Sequence, residues 1–168
     1  MIELFVKSNA KVVAKNFKSW IDKSMDMTGA FSAFIPEFRN SREGWNRAQR
    51  TVDGRPYTPL SLKYKDWKSK NYPGRGILHL SGDLMRAVTG GSGWISQVGS
   101  KNLMMGVDLN YASYVEDGTG EMPQRNYFLT ATGSLSRMDM AQLIQAIEEH
   151  IDDTTSTMLN KSIFEADY

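Results

Sequence analysis

Trp94-Ile95-Ser96-Gln97-Val98-Gly99-Ser100-Lys101-Asn102-Leu103-Met104-Met105-Gly106-Val107-Asp108-Leu109 contains two strand-like runs, 94–99 and 103–109. Only Ser100-Lys101-Asn102 separates them. So short a break returns the chain on itself, and the spacing predicts an antiparallel β-hairpin. Residues 1–6 alternate Ile2, Leu4 and Val6 with Glu3 and Phe5, a pattern that predicts a further short strand in the same sheet. Around this β content the chain has helical periodicity. The expected class is α+β: a small, mostly antiparallel sheet with helices packed on one face.

Outward from the hairpin, Ser8 or Asn9 can cap an amphipathic helix carrying Val13, Phe17, Trp20 and Ile21. It is expected to end near Met27, with Gly29 as its stop. Phe31, Phe34, Phe38, Trp45 and Ala48 make a second helical pattern that Pro36 interrupts. Proline removes a donor and crowds the preceding turn, so a short helix before Pro36 and a longer one over 38–51 are expected. At this spacing the aromatic residues belong to the core. Asp53-Gly54-Arg55-Pro56 is a turn. Ser61 can cap a helix over 62–69, and Pro73-Gly74-Arg75-Gly76 forces a loop. Ser81 can cap a short helix over 82–88, with Asp83 in its first turn. Residues 111–117 form a helical turn or short helix ended by Gly118, and 123–129 is extended. A final helix covers 138–150, with Met140, Leu143, Ile144, Ile147 and Ile151 on one face. Residues 152–168 are a frayed helix, or an arm ordered by a neighbour. One domain over 1–151 is expected, with that arm following.

Composition narrows the function classes. The 168 residues carry a net charge of +1, too small for the whole molecule to act as an electrostatic magnet. Cysteine is absent, which excludes disulfides, thiolate metal sites and cysteine nucleophiles. No signal peptide and no run of about 20 apolar residues is recognisable, so no membrane crossing is expected. Basic residues gather between Arg39 and Arg75, and acidic ones beyond Asp108. Such asymmetry can steer one copy onto the next, or simply give two solvated faces.

Motifs for catalysis are missing. His79 and His150 have no metal-binding spacing, and His79 between Leu78 and Leu80 reads as a hydrogen-bonded structural histidine. The run Gly90-Gly91-Ser92-Gly93 lacks the lysine of a phosphate loop. Glu148, Glu149, Asp152 and Asp153 are the best acidic cluster for a metal, but like charges at a helix end are usually solvated. No catalytic residue, cofactor or metal is expected. The basic segment is interleaved with Trp45, Tyr57, Tyr64, Trp67 and Tyr72, a composition that suits a nucleic acid or a protein partner.

Two blocks carry a resemblance. The first is Gly54-Arg55-Pro56-Tyr57-Thr58-Pro59-Leu60-Ser61 with Tyr64 and Lys68, then Ile77-Leu78-His79-Leu80-Ser81-Gly82-Asp83-Leu84. The second is Tyr111-Ala112-Ser113-Tyr114-Val115-Glu116-Asp117-Gly118-Thr119, then Pro123, Arg125 and Tyr127-Phe128-Leu129. Together they resemble the tailed-phage virion morphogenesis, or tail-completion, family. Tyr57 stands where that family prefers tryptophan. Val115-Glu116 stand where it more often has histidine-glutamine, and there the chain is similar to related neck and tail-component proteins.

The resemblance implies a non-enzymatic virion subunit at the neck or head–tail junction, assembled as a ring in the host cytoplasm. Its partners would be its own copies and other neck or tail proteins. A tail-terminator-type subunit and a connector protein touching DNA in the lumen are the neighbouring readings. Arg55, Tyr57, Tyr64, Trp67, Lys68 and Arg75 are the expected partner-facing residues, with loops 53–76 and 89–93 and the arm. Pro59, Leu60, Ser61, Gly82, Leu84, Tyr111, Glu116, Gly118, Pro123 and Arg125 are the expected structural motif. An ion pair between Glu116 and Arg125 is expected within it.

Overall fold

In the computed structural model, which describes residues 10–164, the hairpin forms. Strand β1 (Trp94–Val98) pairs antiparallel with β2 (Leu103–Val107), Trp94 opposite Val107 and Val98 opposite Leu103. Gly99 N–H donates to the Asn102 carbonyl at 2.8 Å and closes the turn. Among the described residues this is a two-stranded sheet, so the fold is α+β with N-terminal and C-terminal helices. The further strand expected at 1–6 lies outside the described residues.

Helices α1 (Ala10–Ser24) and α2 (Thr28–Arg47) lie along one long helix, α6 (Arg137–Phe164). Asp26 separates the first two, because its carboxylate accepts both the backbone N–H and the hydroxyl of Thr28. Gly29 is therefore not a stop but sits inside α2. Pro36 does not divide α2 either. It lies on the exposed side, so the Ser32 carbonyl that loses its partner faces water. On the opposite side Phe34, Phe38, Arg42 and Asn46 are all buried, and this continuous buried face holds the helix through the proline.

Helix α6 runs on through most of the expected arm. It packs against α1 through Trp20 Nε1–H to Thr155 Oγ1 and a Ser24–Thr154 hydroxyl contact. The face of α6 that reaches the core carries Asp139, Leu143 and Ala146. Of the apolar residues that the spacing places on one face with Leu143, Met140, Ile144 and Ile151 are exposed. Similarly, α1 buries less of its apolar face than expected: Phe17 and Ile21 are exposed while Trp20 packs.

Helices α4 (Asp83–Val88) and α5 (Ala112–Asp117) carry, with Tyr127, a second core of Leu84, Val88, Ala112, Val115 and Tyr127, to which α3 (Leu62–Asn71) contributes no residue. Phe128 touches both cores, making a 5.1 Å edge-to-face contact with Phe38. Ser61 caps α3 by accepting from Tyr64 N–H, as expected. The cap residue of α4 is Gly82 at φ 93°, not Ser81. Ser81 instead bonds Asp83 through its hydroxyl.

Candidate functional site

The two sequence blocks, far apart in the chain, meet in space. The first block is shaped from α2. Asn46 binds the His79 ring, and the Gln49 amide takes Ile77 N–H and donates to the Ile77 carbonyl. Leu78 between these anchors is held at φ 64°, a left-handed conformation that a branched side chain adopts only under such constraint. His79 is thus a structural, hydrogen-bonded histidine. Burial, and then Lys68 and Arg75, push its pKa below the usual range.

The second block is closed by Glu116. Its carboxylate accepts the backbone N–H groups of Tyr127, Phe128 and Leu129 at 2.8–3.0 Å. Burial pushes its pKa up, against the pull of those donors. Gly118 ends α5 at φ 77°, where an added Cβ would lie 2.7 Å from Gln124 N and 2.9 Å from the Met122 carbonyl. The expected Glu116–Arg125 ion pair does not form. Three backbone donors saturate the carboxylate, while Arg125 reaches across to the first block and donates to the Thr58 carbonyl.

Between the blocks is a cavity of about 490 Å³. Leu60, Ser61, Tyr64 and Lys68 line it from α3 and the preceding loop. Leu78, Leu80 and Leu84 form a second wall, and Tyr111, Val115, Met122 and Arg125 a third. The lining is mainly apolar but contains two cations, Lys68 and Arg125, each 4% exposed. Lys68 Nζ donates to the Gly76 carbonyl at 2.6 Å. Arg125 has only long bonds, 3.2 and 3.3 Å to Thr58 O and 3.4 Å to Pro123 O. Burial lowers the pKa of both, and Arg125 adds to the effect on Lys68. Among the described residues no carboxylate pairs with either; Glu121, on the rim, is exposed and pairs with neither.

The structure separates the expected partner-facing residues. Tyr57 and Lys68 are buried, so neither can present its side chain at the outer surface. Tyr57 turns inward against Asn46, and burial pushes its phenol up to about 12. Arg55 and Arg75 are exposed. Tyr64 stacks on Trp67 and Tyr72 meets Trp67 at a tilt, with ring centroids 5.4 and 5.6 Å apart, and all three rings are exposed. Of the structural motif, Leu84 and Arg125 are buried, whereas Pro59, Ser61, Tyr111 and Pro123 are exposed near the cavity. The pairing of Lys68 with Arg125 could not be read from sequence, because 57 positions separate two unremarkable cations.

Glu148, Glu149, Asp152 and Asp153 are exposed on α6, and no group of three metal-binding side chains converges among the described residues. No described helix is long and apolar enough to cross a membrane. Comparisons with protein-family models, with curated proteins and with solved structures find no match.

Proposed function

We propose that the chain is a structural subunit of a tailed-bacteriophage virion at the neck or head–tail junction, assembling as a ring. The observation that carries this reading is the convergence of the two resembling blocks on one cavity. Pro59, Leu60, Ser61, Lys68, Leu84, Tyr111 and Arg125 come from distant parts of the chain, yet all lie in or beside it. That cavity has the chemistry of a recognition site: apolar walls and two fixed cations. Exposed Met140, Ile144 and Ile151 on α6 also suit a chain that buries surface against neighbours. An antibody to the chain should label purified particles where head meets tail, and loss of the gene should leave heads and tails unjoined. Purified particles that lack the chain overturn the reading.

A connector that touches DNA is a second reading, supported by the exposed Tyr64–Trp67–Tyr72 aromatic cluster among Lys63, Lys65 and Lys70. It requires duplex or single-stranded DNA binding that weakens steeply with salt, and no binding at low salt removes it.

A further inference from the structure

Two buried arginines behave differently in this fold. Arg42 is 1% exposed and has a full counter-ion in Asp139. Arg125 is 4% exposed and has only main-chain carbonyls, at distances well beyond those of a strong charge-assisted bond. Lys68, in the same cavity, is also without a carboxylate among the described residues. Burying a cation is costly unless an anion compensates it. The cavity therefore has room for apolar side chains and, with Glu121 exposed at its rim, two buried cations that no carboxylate pairs among the described residues.

Helix α6 antiparallels α2: Arg42 meets Asp139, and Gly29 lies against His150. The cavity sits beyond the α2 C-terminal end, tied there by Asn46–His79 and Gln49–Ile77. From Asp139 to Phe164, α6 climbs 25 residues away from that level, about 37 Å. Residues 165–168 extend at most about 14 Å further, so they cannot return to their own cavity. The sequence there, Ile163-Phe164-Glu165-Ala166-Asp167-Tyr168, places two carboxylates among apolar and aromatic side chains.

We infer that the cavity between α3, α4 and α5 receives the acidic, apolar stretch 163–168 of a second copy of this chain. Glu165 and Asp167 meet Lys68 and Arg125, while Ile163 or Phe164 fills the apolar part. A contact from one end of a copy to the opposite end of the next is heterologous, and repeated it makes a ring or a filament. The inference deepens the ring reading and rests on it for its biological setting. Residues 1–8 also contain apolar side chains, but with Glu3 offset by Lys7 they bring no net charge.

The test titrates the full chain, at concentrations where it is monomeric, into a fluorescein-labelled peptide of residues 162–168 with blocked ends. Saturable binding is expected, weakened at least about tenfold when the peptide carries Glu165→Gln and Asp167→Asn. Lys68→Met, checked for folding by circular dichroism, should weaken the parent peptide and leave the neutral one unchanged. No binding up to about 1 mM overturns the inference, as does equal binding of the neutral peptide or tighter binding of a peptide of residues 1–8. The outcome is independent of particle labelling. Chain present on particles without peptide binding overturns only the cavity assignment; peptide binding by a chain absent from particles overturns only the virion reading.

Discussion

Arg42 on α2 and Asp139 on α6 form a fully buried bidentate pair, Nη1 to Oδ1 at 2.9 Å and Nη2 to Oδ2 at 2.8 Å. The guanidinium also lies 3.8 Å from the Phe38 ring centre and donates through Nε to the Phe128 carbonyl. Asp139 in turn accepts from the backbone N–H and the hydroxyl of Ser136, the residue just before α6. One carboxylate thus sets the start of α6, its register on α2 and the position of Phe128 between the two cores.

Removing one partner leaves the other charged and buried. Asp139→Asn should cost about 3–5 kcal/mol in urea-monitored unfolding. Burial pushes the Asp139 carboxyl up, but Arg42 and Ser136 outweigh it and hold it below the ordinary value of 3.8. A depressed carboxylate pKa gives stability that is present above pH 3.8 and lost as pH falls through the folded value. The native chain should therefore lose stability below about pH 4, and Asp139→Asn should lose less there. An equal loss in both would remove Asp139 as the cause.

Glu116 is the other carboxylate on which the fold turns. Replacing it with Ala leaves three backbone donors at Tyr127, Phe128 and Leu129 without their acceptor. Each unmet buried donor costs about 1–3 kcal/mol. Solvent reaches part of this half-buried site, so a total near 3 kcal/mol is expected. Glu116→Gln, which keeps one acceptor oxygen, should fall between. Hydrogen exchange should show the amides of 127–129 losing protection first.

His79 gives the chain a pH response in a different window. Its pKa is depressed, so the neutral ring supplies stability that is present above pH 6.5 and lost as pH falls below it. The titration of Glu116, whose pKa burial raises, acts in the opposite sense: the part of the stability linked to its protonated form is present below pH 4.5 and lost as pH rises through the folded value, while its three accepted hydrogen bonds remain. Comparing the native chain with His79→Gln isolates the histidine. The difference in unfolding midpoint should shrink between pH 7 and pH 5, and a constant difference would dismiss the proposed titration.

The sequence is legible where local chemistry acts alone. The hairpin follows from two short runs and a tight turn, the α3 cap from Ser61, and the α5 stop from Gly118. It misleads where tertiary contacts outweigh local preference. Pro36 is a helix breaker by its own chemistry, yet the buried row Phe34–Phe38–Arg42 carries α2 past it. Half of the site is visible as sequence blocks. Its defining feature, two buried cations sharing one cavity with no carboxylate paired to either among the described residues, needs the chain folded, because α3 contributes one and the segment after α5 the other.

The face of α6 offers the sharpest contrast between pattern and packing. Met140, Ile144, Ile147 and Ile151 recur at helical spacing and invite assignment to the core, but the buried position beside them is the charged Asp139. Because Arg42 fixes that carboxylate, the helix is rotated and Leu143 and Ala146 face inward. Leu143→Ala should then cost about 2–3 kcal/mol. Ile144→Ser, at a side chain 48% exposed, should change stability by no more than about 0.5 kcal/mol. On the proposed ring reading, the same Ile144→Ser should reduce concentration-dependent association in sedimentation velocity, since neighbouring copies would cover the apolar surface left open on one copy. A large loss of stability from Ile144→Ser would instead mean that this stripe packs within the single chain and that α6 is rotated from the orientation Asp139 imposes.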